Sequence, residues 1–327
     1  MKVFITRRIP DVGVEQLQAA GLELHLHDSE VPLAREALLE RLQTGFSALL
    51  ITLGETVDEA FLDAAGEGLK VIANFAVGTN NIDLAACTRR GVAVSNTPDV
   101  LSDATADQAL SLMLSVARRT LAGHDLVTSG EWTGWAPTQM LGLDISGKTL
   151  GIVGMGRIGR AVAQRAQGFN MRVLYHNRSR DRDAEQRYGA QYCAELHDLL
   201  TACDVLSLHC PLTDETHHLI GAAQLARMKP TAILINTARG PVVDEAALVE
   251  ALQKGQLWGA GLDVFEFEPR VTNELKSLPN VVLAPHLGSA TEGARSAMAE
   301  LCAEAIIRGL NGEAADHILN PEVVERR

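Results

Sequence analysis

The sequence predicts an α/β protein built from two parallel-sheet domains. Short apolar runs alternate with amphipathic stretches from residue 2 to residue 98, and again from residue 150 to residue 283. Such alternation is typical of parallel strands covered by helices on both faces. A glycine motif, Gly154-x-Gly156-x-x-Gly159, stands between a strand and a helix where the second series starts. The length of 327 residues also favours two domains over one.

In the first series, strands and helices are predicted in turn. The strands are expected at 2–6, 22–26, 48–51, 71–74 and 92–95, with helices at 12–20, 33–42, 58–65 and 82–89. In the second series, a strand leads into the glycine motif and further strands are expected at 171–175, 205–208, 232–236, 260–264 and 281–283. A final helix is expected at 292–310.

One long helix is predicted between the two series, over 104–128 with Ser102 as its N-cap. Its apolar residues surround most of the helix, which is typical of a buried helix. The loop that follows, 130–147, contains Trp132, Trp135 and Met140. These side chains form either a local cluster, a dimer contact or a lid over a substrate.

The glycine motif predicts a dinucleotide site. Gly154 permits the tight turn after the strand, Gly156 lets a pyrophosphate approach the backbone, and Gly159 lets the new helix pack close to the strand. The helix that begins here would direct its free N–H groups and positive dipole end toward the phosphates. The next strand follows one crossover later, as a dinucleotide-binding unit requires.

The turn after that next strand favours NADPH over NADH. Sites that prefer NADH usually place an acidic residue there to accept hydrogen bonds from the ribose. This chain instead has Asn177, Arg178, Ser179 and Arg180, which supply donors and positive charge that suit a 2′-phosphate. The alternative interpretation is a solvated basic turn without a role.

Composition restricts the partners. The net charge of −12 argues against nucleic acid and anionic membranes, which require a basic face. The five scattered cysteines form no CxxC pair, which suggests reduced thiols in the cytoplasm. No apolar run is long enough to span a bilayer, and we expect no metal site because no cluster has ligand spacing.

Three polar residues come after strands late in the chain, where open α/β sheets bind ligands. Arg239 could hold a substrate carboxylate or carbonyl oxygen, and His286 could donate a proton to the carbonyl oxygen. Glu268 would fix the histidine tautomer and favour the imidazolium form. Together these residue types suit hydride transfer to a 2-keto acid.

The chain resembles the D-isomer-specific 2-hydroxyacid dehydrogenases over essentially its whole length. The resemblance rests on AVGTNNID, the glycine motif, CPLTDETHHLI, NTARGPVVDE, GLDVFEFEP and PHLGSAT. It is closest to the glyoxylate/hydroxypyruvate reductases, which include 2-ketogluconate reductases. Position 268 is Glu, whereas the related formate dehydrogenases have Gln, so formate is not expected as a substrate.

The resemblance implies catalytic roles for Arg239, Glu268 and His286. It implies a doubly wound, Rossmann-like nucleotide-binding domain over 99–289, inserted in a flavodoxin-like substrate domain over 1–98 and 290–327, with a hinge and a homodimer. Substrate would be bound by Leu53 and by Val77 and Gly78, together with Arg239 and His286. Further cofactor contacts are implied for Arg157, Ile158, Cys210, Pro211, Thr216, Ala238, Asp263 and Gly288.

The expected activity is reduction of glyoxylate to glycolate and of hydroxypyruvate to D-glycerate, with NADPH preferred and NADH possible. Three alternatives stay open. They are reduction of 2-ketogluconate or another 2-keto acid, oxidation of phosphite or a similar oxyanion, and dinucleotide sensing by a non-enzymatic protein resembling transcriptional corepressors.

Overall fold

The computed structural model describes residues 1–325, and strands alternate with helices along most of that length. The strands are β1 (Lys2–Ile5), β2 (Glu23–Leu26), β3 (Ala48–Ile51), β4 (Val71–Asn74), β5 (Ala93–Ser95), β6 (Thr149–Val153), β7 (Arg172–His176), β8 (Gln191–Tyr192), β9 (Val205–Leu208), β10 (Ile233–Asn236), β11 (Gly259–Leu262) and β12 (Val281–Leu283). All but β8 overlap predicted strands.

The helices fall mostly where the amphipathic stretches predict them. They are α1 (Asp11–Ala19), α2 (Arg35–Leu42), α3 (Glu59–Ala65), α4 (Leu84–Arg89), α5 (Ser102–Ala117), α6 (Thr120–Thr128), α7 (Arg157–Ala166), α8 (Arg182–Tyr188), α9 (Leu196–Ala202), α10 (Ala222–Leu225), α11 (Glu245–Gln253), α12 (Asn273–Ser277), α13 (Glu292–Leu310) and α14 (Glu322–Glu325). Within residues 1–325, no helix combines the length and apolar character needed to cross a bilayer.

The chain divides into two compact units. The first comprises residues 1–101 together with the chain from 291 onwards, and the second comprises residues 102–290. The first unit contains a five-stranded sheet in the order β2-β1-β3-β4-β5, and the second a seven-stranded sheet in the order β12-β11-β10-β9-β6-β7-β8. The paired strands are parallel in both sheets, so the predicted fold class is confirmed.

In the first unit, the sheet is buried on both faces. Successive residues of a strand point to opposite faces, and β1 accordingly sends Val3 and Ile5 to one core and Phe4 to the other. Helices α1 and α13 supply Leu17 and Ile306 to the first of these cores. Because both faces are covered at the centre of the sheet, β3 is a continuous apolar run instead of an alternating one.

The second unit follows the same design. Ile233 and Ile235 of β10 lie in the core that α5 and α7 cover, whereas Leu234 lies in the opposite core. Helices α9 and α11 close that second core with Leu199 and Leu248. This two-sided burial fixes the register of the strands, and with it the positions of the loops that follow them.

The prediction of one continuous helix over 104–128 is wrong. The chain turns between α5 and α6 at Arg119, whose φ is +54°. The carbonyl of Ala117 accepts a hydrogen bond from the N–H of Leu143, which occupies the acceptor that a continuing helix would use. Helix α5 is buried as expected, with Leu112 and Met113 in the core, but α6 has no buried residue.

The loop after α6 leaves its aromatic side chains at the surface. Trp132 is 51% exposed and Trp135 is 81% exposed. The structure therefore excludes a buried local cluster for these tryptophans, which was one of the alternatives for this loop.

Candidate active site

Polar side chains follow three adjacent parallel strands of the seven-stranded sheet. Arg239 comes after β10, Glu268 after β11 and His286 after β12. Because the carboxyl ends of parallel strands share one edge of the sheet, the fold brings these three residues together. This edge is where open α/β sheets bind their ligands.

His286 and Glu268 form a hydrogen-bonded pair. The Nδ1 atom of His286 is 3.0 Å from Oε2 of Glu268, and each side chain is 35% exposed. The other carboxylate oxygen, Oε1, accepts a hydrogen bond from the N–H of Phe265 at 2.9 Å. Burial acts to raise the pKa of Glu268, but the bond and charge of His286, the Phe265 N–H and the charge of Arg239 outweigh it, so the pKa is lowered. Glu268 is therefore a carboxylate at neutral pH.

Arg239 is held in a turn that a buried amide organises. The Oδ1 atom of Asn236 accepts from the N–H of Ala238 at 3.0 Å, and its Nδ2 donates to the carbonyl of Arg239 at 3.0 Å. Burial lowers the pKa of the Arg239 guanidinium, while the charge of Glu268 opposes this shift. A guanidinium stays charged under these conditions. The sequence prediction did not include Asn236. An amide at the end of a buried strand could have indicated that it holds the following turn.

The loop that carries His286 is fixed by Asp263. Its two carboxylate oxygens accept hydrogen bonds from the N–H groups of Leu287 and Gly288, each at 2.7 Å. Its carbonyl accepts from the N–H of His286 at 2.9 Å, and His286 has a φ of +55°. Burial raises the pKa of Asp263, and these N–H groups counter the shift. The Nε2 atom of Gln108 adds a longer contact at 3.3 Å, which the sequence did not indicate.

The glycine motif forms a tight turn between β6 and α7. Gly154 has a φ of +97°, and a Cβ there would lie 2.5 Å from the backbone nitrogen of Cys210. A Cβ on Gly159 would lie 2.2 Å from the carbonyl oxygen of Gly154, whereas one on Gly156 would meet open space. The turn is thus closed on the protein side and open at Gly156, directly before the N-terminus of α7. Arg157 and Ile158 are the first residues of that helix.

The turn after β7 carries side chains that can donate hydrogen bonds, and it has no carboxylate at 177–180. The Oδ1 atom of Asn177 accepts from the N–H of Met155 at 2.8 Å, which leaves its amide NH₂ group as the side that can donate elsewhere. Arg178 and Ser179 are exposed. Arg180 pairs with Glu185 at 2.6 Å, so its charge is already compensated. The first acid after this turn, Asp181, caps α8 and pairs with Arg160.

The chain after β9 carries Cys210, Pro211 and Thr216, three of the residues predicted to contact the cofactor. Cys210 backs onto Gly154, and burial raises the pKa of its thiol to about 11, so it is not a reactive thiolate. The hydroxyl of Thr216 donates to the carbonyl of Pro211 at 2.6 Å and accepts from the N–H of Thr213 at 2.8 Å. Thr216 therefore shapes its own loop.

In the first unit, two loops after β3 and β4 carry the other predicted substrate residues, Leu53 and the pair Val77 and Gly78. The Nδ2 atoms of Asn96 and Asn74 donate to the carbonyls of Val77 and Gly78, at 2.8 and 2.9 Å. In addition, Nδ2 of Asn81 donates to the carbonyls of Thr52 and Glu55, at 3.2 and 3.1 Å. Side-chain amides thus hold both loops.

Comparison with known proteins shows which family the chain resembles. Residues 110–288 match the family model described as the NAD binding domain of D-isomer specific 2-hydroxyacid dehydrogenases. The chain is 50% identical to the glyoxylate reductase of Thermococcus kodakarensis over 330 residues, which cover 100% of this chain and 98% of the relative.

Two solved structures extend the comparison. A glyoxylate reductase from Paecilomyes thermophila has 34% identity and a TM-score of 0.87, with 98% of this chain and 99% of that one covered. An NADPH-dependent glyoxylate/hydroxypyruvate reductase from Sinorhizobium meliloti, in complex with NADP and malonate, has 33% identity and a TM-score of 0.81, with 93% and 92% covered.

The fold and the family match define an oxidoreductase that uses a nicotinamide dinucleotide. The chain belongs to the D-isomer-specific 2-hydroxyacid dehydrogenase family and is an enzyme of that class.

Proposed function

We propose that this enzyme reduces small 2-keto acids, with glyoxylate and hydroxypyruvate as the leading substrates and glycolate and D-glycerate as the products. The observation that carries the proposal is the hydrogen bond between His286 and Glu268 on the sheet edge that also carries Arg239. The relatives named as glyoxylate reductases support the substrate class.

Each of the three side chains has a separate task in this proposal. Arg239 binds the substrate carboxylate with its guanidinium fork. His286 uses Nδ1 to bond Glu268, so Nε2 is the atom that donates a proton to the carbonyl oxygen. Glu268, ionised at neutral pH, accepts the hydrogen bond from Nδ1 and so orients the ring. The cofactor, when bound, supplies the hydride that reduces the carbonyl carbon.

NADPH is the proposed cofactor, with NADH as a weaker substitute. The Asn177 amide, Arg178 and Ser179 would bind the 2′-phosphate. Gly154, Gly156 and Gly159, with Arg157 and Ile158, would hold the pyrophosphate. Other proposed cofactor contacts are Cys210, Pro211, Thr216, Ala238, Asp263 and Gly288. In this proposal, the domain predicted over 99–289 binds the dinucleotide, and the domain predicted over 1–98 and 290–327 binds substrate.

Leu53, Val77 and Gly78 stay proposed substrate contacts. The carbonyls of Val77 and Gly78 are already bonded to side-chain amides, which leaves their N–H groups as donors. Backbone N–H groups bind carboxylate oxygens well, since they form charge-assisted hydrogen bonds.

We also propose a homodimer, because α6 and the loop after it expose apolar side chains. Leu121 is 47% exposed, Val127 57% and Leu141 62%, in addition to the two tryptophans. A segment that exposes this many large apolar side chains is a candidate interface between protein chains.

Steady-state kinetics with NADPH and NADH test the proposal across glyoxylate, hydroxypyruvate, pyruvate and 2-ketogluconate. We expect the highest kcat/KM with NADPH and either of the first two acids. If turnover were highest with 2-ketogluconate, that acid would replace glyoxylate and hydroxypyruvate as the proposed substrate. Binding of dinucleotide without turnover of any keto acid would favour a sensing protein, and phosphite-dependent reduction of NADP would favour oxyanion oxidation.

A further inference from the structure

Glu266 joins the turn that carries Glu268 to two other segments of the second unit. Its Oε1 atom is 2.8 Å from Nε2 of His218, and its Oε2 atom accepts from the N–H of Glu245 at 3.1 Å. The side chain is only 13% exposed. Glu266 is thus directed into the protein, two positions before the more exposed Glu268.

Glu245, the first residue of α11, returns the contact. Its Oε2 atom accepts from the N–H of Glu266 at 3.0 Å, and its Oε1 atom accepts from the N–H of Thr272 at 3.2 Å and from the Thr272 hydroxyl. Carboxylates are favoured at the N-terminus of a helix. The turn from Glu266 to Thr272 is therefore held at both of its ends by one buried carboxylate.

The His218 segment connects this network to Arg239. The N–H of His218 donates to the carbonyl of Pro241 at 2.8 Å, so the segment lies along the chain directly after Arg239. A Cβ on Gly240 would lie 1.8 Å from the carbonyl oxygen of Phe265, which shows how closely the two turns approach. Movement of one turn would displace the other.

We propose that Glu266 is a positioning residue for the keto-acid reduction proposed above, on which the kinetic part of this inference rests. Glu268 receives one hydrogen bond from its own turn, from the N–H of Phe265, the residue directly before Glu266. Loss of the two Glu266 side-chain contacts, to His218 and to the N–H of Glu245, loosens the turn next to that donor, although Glu245 still binds its backbone. The Glu268 carboxylate then meets His286 in a less fixed geometry. Displacements of about 1 Å at a reacting centre cost up to about 100-fold in rate.

The test compares Glu266→Ala with Glu266→Gln, and uses Glu274→Ala as a matched control because Glu274 is an exposed carboxylate on neighbouring α12. We expect kcat to fall about 10- to 100-fold in Glu266→Ala. KM for glyoxylate and the Kd for NADPH should change by less than about threefold, because the Glu266 carboxylate is directed into the protein and bonded there. Glu266→Gln should regain most of the rate, since an amide can still accept from Glu245 and bond His218. Glu274→Ala should match wild type.

Hydrogen–deuterium exchange provides a readout that does not depend on turnover. The peptide covering 264–272 should exchange faster in Glu266→Ala, and at the wild-type rate in Glu266→Gln. Unchanged exchange, or unchanged kcat in an active enzyme, would overturn the inference. If Glu266→Ala does not fold, His218→Ala replaces it in both measurements, because it removes only one of the two Glu266 contacts. Faster exchange of 264–272 and lower kcat are then expected. Absence of wild-type turnover would refute the proposed function instead, and the exchange measurement would still decide the role of Glu266.

Discussion

The Nδ1 atom of His286 lies 3.0 Å from Oε2 of Glu268, although 18 positions separate the two residues in the chain. Each partner is fixed by a further contact, His286 through its backbone bond to Asp263 and Glu268 through the Phe265 N–H. The ring nitrogen that faces away from Glu268 is therefore held in a defined direction, as proton transfer to a substrate requires.

Substitution of His286 tests the proton-donor role. His286→Ala should lower kcat for glyoxylate reduction by about 10²- to 10⁴-fold, the usual contribution of a positioned general acid. The measurement is the rate of NADPH oxidation at saturating glyoxylate. His197→Ala serves as the control, because His197 is an exposed histidine on α9. Turnover of His286→Ala near the wild-type rate would exclude His286 as the donor.

Cofactor preference should depend on the turn after β7. Arg178→Ala should raise KM for NADPH about tenfold or more and leave KM for NADH nearly unchanged, since only NADPH carries the 2′-phosphate. Asn177→Asp should reverse the preference, because a carboxylate accepts from ribose hydroxyls and repels the phosphate. Kinetics with both cofactors measure these changes. Arg182→Ala, an exposed arginine on α8, is the matched control. An equal effect of Arg178→Ala on both cofactors would contradict the assignment.

Substitution of an exposed apolar residue on α6 tests the proposed dimer. Leu121→Asp should convert the dimer to monomer, because the substitution introduces a charge into an apolar contact. Analytical ultracentrifugation gives the mass in solution. Val31→Asp should leave the mass unchanged, although Val31 is 69% exposed and also apolar. A monomeric wild-type protein would disprove the proposal directly.

His209 should make the stability of the protein depend on pH. Burial of its ring lowers the pKa of His209 to about 3 from an ordinary value of 6.5, although the residue as a whole is partly exposed. The unfolded chain therefore binds a proton below pH 6.5 that the folded protein does not accept. Stability should fall as pH decreases below that value, by up to about 1.4 kcal/mol per pH unit from this residue.

Urea unfolding at about pH 7 and about pH 5 measures this effect. His209→Gln removes the titrating ring and can still bond Ser207, which lies 2.8 Å from Nε2 of His209. The variant should lose less stability than wild type between the two pH values. Equal losses would show that the His209 ring is protonated in the folded protein as readily as in the unfolded chain.

The strands were predictable because burial on both faces leaves a local record in the sequence. Runs such as Ala48–Ile51 and Val205–Leu208 match their strands residue for residue. The α5–α6 break was not predictable in this way. It depends on the N–H of Leu143, which reaches the carbonyl of Ala117 from a loop far along the chain.

The residues that hold the site in place were harder to predict from the sequence than the residues proposed to act in it. Arg239, Glu268 and His286 follow strands directly, so their shared edge could be anticipated from the order of apolar runs. Glu266 resembles an ordinary loop carboxylate in the sequence, and its bond to His218 spans 48 positions.

The sequence by itself determined the α/β class, the glycine turn and the strand ends at which charged side chains gather, because apolar spacing and glycine geometry act between near neighbours. Only the tertiary structure decided which polar groups hold those side chains in place, where α5 stops and which aromatic rings remain at the surface. Those outcomes depend on hydrogen bonds and packing between distant segments, and these form only when the chain has folded.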